Sequence, residues 1–153
     1  MALDLVAAFL SGACTKISDS GSKQIVQALG GLIAGALSYY LAVFQRIPEI
    51  VLGTMFGNVL AGKVDKHPHY ILVATTLFLY AIYGVPLSIF PFLLFLLTSY
   101  LDEILSRRPN LLGKRVLLPL SALLYAVMDP RPLLYIIVWE AGYRTTSHLV
   151  KRS

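Results

Sequence analysis

Apolar residues run in long blocks along this chain, and charged residues gather in short clusters between them. Tyr70 to Leu101 contains no Asp, Glu, Lys or Arg over 32 positions, and Gln24 to Phe44 contains none over 21. A hydrocarbon core of ~30 Å is crossed by about 20 apolar helical residues, so the first block is too long for one crossing. Gly84-Val85-Pro86 lies near its middle and breaks it in two. Read this way, the chain has apolar segments at 2–14, 24–44, 47–62, 69–85, 86–101, 116–128 and 132–150. The pattern predicts an all-α, polytopic integral membrane helix bundle of about seven transmembrane or partly spanning helices. Segments 2–14, 47–62 and 116–128 are short enough to be thin spans, half-helices or interfacial elements. If 2–14 is interfacial, six spans remain.

Charge then orients the segments. Let side A be the side reached at the end of 2–14. Alternation places 15–23, 63–68, 102–115 and the C-terminal tail on side A. These carry Lys16, Lys23, Lys63, Lys66, Arg107, Arg108, Lys114, Arg115, Lys151 and Arg152, and Arg144 snorkels the same way. Of the 13 basic residues only Arg46 and Arg131 fall on side B. The positive-inside rule makes side A cytoplasmic, with the N-terminus out and the C-terminus in. Tyr39, Tyr40, Tyr80, Tyr83, Tyr125 and Tyr135 then fall near one interface, and Tyr70, Tyr100 and Tyr143 near the other. The expected location is the cell membrane, as a multi-pass protein.

At 153 residues, 57% hydrophobic, with mean hydropathy +0.72, the chain has little room for a soluble domain and reads as one transmembrane domain, 1–153. The first residues carry Asp4 rather than a basic cluster, so they read as part of the mature protein. Cys14 is the only cysteine, which leaves no internal disulfide or CxxC pair. The net charge of +5 lies beside apolar segments, which favours anionic lipid headgroups as partners and not nucleic acid. Small residues recur at spacing four in Ala8/Gly12, Gly31/Gly35 and Gly53/Gly57/Ala61. Such stripes allow close helix packing, either inside one bundle or at the seam of a homo-oligomer.

Carboxylates recur where segments reach side A: Asp19 after the first, Asp65 after the third, and Asp102 and Glu103 after the fifth. An acid near a helix C-terminus is locally unfavourable without a cation. Lys16, Lys63 and a bound ion are the candidates to compensate it. Glu140 lies inside the last segment, on the order of 12 Å deep at 1.5 Å per residue, with Arg144 and His148 following on the same stripe. A charge at that depth calls for a partner or a cavity.

The candidate catalytic set is therefore Asp19, Asp65, Asp102, Glu103 and Glu140, with Lys16, Lys63 and Arg144 as phosphate-binding groups. Asp19, Asp65 and Asp102 would suit Mg²⁺ or another hard divalent cation. His67, His69 and His148 are further polar candidates, without the partner pattern of a zinc site. No phosphate loop and no nucleophile elbow is present. These features point first to a divalent-cation-dependent enzyme acting on a phosphorylated lipid or isoprenoid headgroup. A small-solute or ion transporter or channel, and a non-catalytic membrane subunit, stay open beside it.

Overall fold

The computed structural model describes residues 2–20, 23–106 and 116–150. Among these the protein is all-α, with seven helices: α1 (Ala2–Ser20), α2 (Gln24–Phe44), α3 (Pro48–Leu60), α4 (His67–Tyr83), α5 (Ile89–Ser106), α6 (Leu117–Tyr125) and α7 (Arg131–Val150). Two of them, α2 and α5, are long and apolar enough to cross a membrane. Of the side A basic cluster, Arg107, Arg108, Lys114, Arg115, Lys151 and Arg152 lie outside the described residues.

Local chemistry explains most boundaries. Pro48 occupies the first turn of α3, where its missing N–H costs nothing. At the other end of α3, Gly62 takes φ 68° while its N–H reaches Val59 O at 2.9 Å and the Lys63 N–H reaches Asn58 O at 3.0 Å. This is the Schellman termination, which a residue with a Cβ enters only under strain. Gly84, at φ 64°, stops α4 where the sequence places the break. Asp129 starts α7 by accepting from the Arg131 backbone N–H at 3.0 Å and from its guanidinium at 2.8 Å. Burial acts to raise the Asp129 carboxyl, but these Arg131 contacts outweigh it and hold the group below its ordinary value.

Two helices run further than their apolar segments. α1 continues past residue 14 to Ser20, and α5 past 101 to Ser106. In α1 the added polar residues satisfy themselves along the helix: the Thr15 hydroxyl donates to Ser11 O at 2.8 Å and the Ser20 hydroxyl to Lys16 O at 3.0 Å. In α5 the extension carries Asp102 and Glu103, each only 4% exposed. The acids expected in connecting loops therefore stand on helices.

The helices form two compact units. The first consists of α1, α2, α4 and α7 from Ile137 onward; the second of α3, α5, α6 and the beginning of α7. Within the first, α2 packs on α4 through Gly31 and Gly35. A methyl group on Gly31 would collide with Pro68 O, and one on Gly35 would lie 2.6 Å from Leu72 O. Gly30 lies against α1 at Cys14 O, and Gly12 of α1 meets α7 at Trp139 and Tyr143. Within the second unit, Gly53 and Gly57 of α3 do the same against Phe92 O and Leu96 O of α5, at 2.9 and 2.7 Å. Both glycine stripes are thus covered inside their own units, where backbones approach too closely for any side chain.

The interior mixes small residues with a few large ones: Ala34, Ala42, Ala122, Ser11, Ser18 and Thr76 are fully buried beside Phe95, Leu41, Ile47 and Ile50, while many large apolar side chains, among them Ile25, Phe78, Phe90 and Val127, face outward. Two of the buried hydroxyls have partners nearby: Ser11 pairs with Ser38 at 3.3 Å, and Thr76 donates to Leu72 O at 2.9 Å and Gly35 O at 3.2 Å.

Candidate functional site

In the first unit the polar end of α1 meets the start of α4 and one turn of α7. The amphipathic tail of α1 brings Asp19 to this junction. Lys66-His67-Pro68-His69 opens α4 there, with Pro68 in its first turn. One oxygen of Asp19 lies 2.8 Å from His69 Nε2, and the other accepts the Tyr143 hydroxyl at 2.5 Å. The opposite ring nitrogen of His69, Nδ1, lies 3.4 Å from Asp65. Lys66 Nζ donates to the Asp19 main-chain carbonyl at 3.1 Å, and Lys16 Nζ stands 5.1 Å from the centre of the Tyr143 ring. Trp139 stacks on that ring, with centroids 5.4 Å apart, and holds it in place.

Burial pushes the Asp19 carboxyl upward, since desolvation disfavours its charge. Hydrogen bonds from His69 and Tyr143, and the positive charges of His69 and Lys16, act the other way and prevail. Asp19 is therefore held well below the ordinary carboxylate range. The histidine is an unusual element here: its ring is largely buried, 13% exposed, and has a carboxylate at each nitrogen. A neutral imidazole donates from only one nitrogen, whereas the imidazolium donates from both. Each ring nitrogen of His69 thus faces a carboxylate oxygen that can accept its N–H.

The second unit uses its acids differently. Asp102 accepts three backbone N–H groups at the start of α6, from Val116 at 3.0 Å, Leu117 at 2.8 Å and Leu118 at 2.7 Å. It thereby caps α6, whose own preceding residue, Val116, provides no side-chain cap. Glu103 binds Lys63 at 2.7 Å, so one phosphate-binding candidate already has a carboxylate partner. Glu140 and Arg144, back in the first unit, pair along α7 at 2.7 Å with side chains 37% and 74% exposed. His67 and His148 are exposed.

Of the eleven residues singled out from sequence, the structure joins Asp19, Asp65 and His69 in one network flanked by Lys16, and pairs Lys63 with Glu103 and Glu140 with Arg144. No group of three or more His, Cys, Asp or Glu side chains arranged to hold a metal ion occurs among the described residues. Sequence reasoning missed Tyr143 and Lys66 as site residues. Tyr143 carried only the signal of an interfacial aromatic, and Lys66 only that of a basic loop. No family model, curated protein or solved structure matches this chain.

Proposed function

We propose that this chain is a multi-pass membrane protein that binds a phosphorylated lipid or isoprenoid headgroup at the Asp19–His69 network and acts on it by acid–base chemistry. The membrane part is supported by α2 and α5 and by the outward display of large apolar side chains such as Ile25, Phe78, Phe90 and Val127. The basic bias of side A favours the cytoplasmic face for the network.

The observation that carries the chemical part is the fixing of His69 Nε2 by Asp19 at 2.8 Å, with Asp19 itself anchored by Tyr143. A carboxylate on one nitrogen orients an imidazole and stabilises its charged form, which suits the other nitrogen to general acid–base work. Lys16, over the Tyr143 ring, and Lys66, on the Asp19 carbonyl, bring positive charge to the network that phosphate oxygens would use. We further propose Mg²⁺ as a counter-ion to the bound phosphate.

Binding to nanodiscs of phosphatidylcholine with and without phosphatidic acid tests the site. The wild type is expected to hold phosphatidic acid selectively and His69→Gln to lose that selectivity; equal behaviour of the two would reject it. Repeating the measurement with EDTA tests the cation. For topology, single cysteines at Val64 and at Pro130 in a Cys14→Ser background should differ toward an impermeant thiol reagent in intact cells. Only the Pro130 position should react, and labelling at Val64 would reverse the orientation.

A further inference from the structure

We infer that Asp65 is a built-in stand-in for the ligand: its carboxylate occupies the Nδ1 edge of His69 that a phosphate monoester takes on binding. The inference rests on the headgroup site proposed above and adds its regulation. It starts from the inequality of the two carboxylates on one ring. Asp19 lies at 2.8 Å with a side chain 21% exposed, and its second oxygen is held by Tyr143. Asp65 lies at 3.4 Å, beyond good hydrogen-bond length, with a side chain 64% exposed. The inner contact fixes the ring. The outer one is weak, solvent-screened and exchangeable.

The charged groups around His69 come from three elements: Asp19 and Lys16 from α1, Tyr143 from α7, and Asp65 and Lys66 from the run into α4. With a carboxylate at each ring nitrogen, His69 has an acceptor at Nδ1 as well as at Nε2. Asp65 provides the Nδ1 acceptor from four residues away on the same chain segment. A phosphate monoester replaces its charge and brings further oxygens for Lys66, the next residue in the chain, which a single carboxylate does not offer. Asp65 therefore keeps the Nδ1 edge occupied before phosphate binds, and competes with weakly bound anions.

The test uses the full chain in detergent micelles, with dihexanoyl phosphatidic acid and inorganic phosphate as separate probes measured by calorimetry. Asp65→Asn removes the competing charge at an exposed position and should melt with the wild type while binding about fivefold more tightly, the scale of an exposed ion pair. Asp65→Glu should keep wild-type affinity, and His69→Gln should abolish binding. If Asp65→Asn binds equally or more weakly while the wild type binds, the stand-in is wrong and the headgroup site survives. If neither protein binds either probe, both fall. A gain seen with inorganic phosphate alone keeps the stand-in and assigns the site to free phosphate.

Discussion

Asp102 separates a structural from a catalytic reading of the acids more sharply than any other residue. It is 4% exposed and accepts three backbone N–H groups at the start of α6. Asp102→Ala would leave all three donors without that acceptor. Hydrogen bonds to a charged group contribute about 1.5–3 kcal/mol each, and loss of an ordinary N-cap costs about 0.5–2 kcal/mol. Since the three share one carboxylate and do not add fully, the expected loss is about 3–5 kcal/mol. At about 2–4 °C per kcal/mol for a chain of this size, melting should fall by roughly 6–20 °C. Asp102→Asn keeps one acceptor oxygen, serving Val116 and Leu117, and turns an amide donor toward Leu118. Its loss should be intermediate, about 1–2 kcal/mol. Circular dichroism is the suitable assay, because the only tryptophan, Trp139, belongs to the other unit. An Asp102→Ala protein that melts with the wild type but no longer binds phosphatidic acid would refute the capping role.

The Asp19 carboxyl is held below its ordinary value, so the stability it contributes is fully present above about pH 4 and is lost as pH falls below that. Melting curves of wild type and Asp19→Asn should therefore converge on acidification through that window; a constant gap would contradict the network. Gly57→Val places a side chain where even a methyl group would lie 2.7 Å from Leu96 O, and should cost more than the 1–3 kcal/mol typical of overpacking. The same change at Gly57 measured by protease resistance should give the same order, and a neutral result would deny the close α3–α5 contact. Glu140→Gln breaks a pair whose Arg144 side is 74% exposed, so it should shift stability by no more than about 0.5 kcal/mol. A large loss of stability would mean that Glu140 has a further partner.

Much of the element pattern was legible because apolar runs and breakers act locally. The 24–44 segment coincides with α2, and the break at Gly84 is where α4 ends. The ends of α1 and α5 were not legible. Their polar residues resemble loop, and only back-bonded hydroxyls in α1 and tertiary partners for Asp102 and Glu103 in α5 keep them helical. The recurrence of acids was visible, but their roles were not. One meets a histidine and a tyrosine, one caps a neighbouring helix, one binds a lysine. Position along a helix gives depth; it does not give the partner, which comes from another helix. Glu140 illustrates this from the other side, since its i+4 partner Arg144 was readable in the sequence and is the contact found.

The two units solve one packing problem in the same way. Gly31 meets Pro68 and Gly35 meets Leu72; Gly53 meets Phe92 and Gly57 meets Leu96. In each pair the residue numbers rise together, so α2 and α4 run parallel, as do α3 and α5. Parallel helices align their macrodipoles unfavourably, and nothing apolar drives helices together inside a lipid phase. Close backbone contact has to supply the attraction. Glycine at spacing four provides it by admitting the neighbour's carbonyls to the helix surface, where Cα–H groups contact them. A hydroxyl then ties each pair: Thr76 donates to Gly35 O at 3.2 Å in one unit, and Ser99 to Thr54 O at 3.3 Å in the other. The stripe in the sequence marks only half of this contact. Its other half, a carbonyl ridge followed by Thr or Ser, has no signature of its own, which is why an oligomer seam stayed open beside packing within one bundle. Covered as they are within each unit, they leave any contact between copies of the chain to the large apolar side chains on the outside.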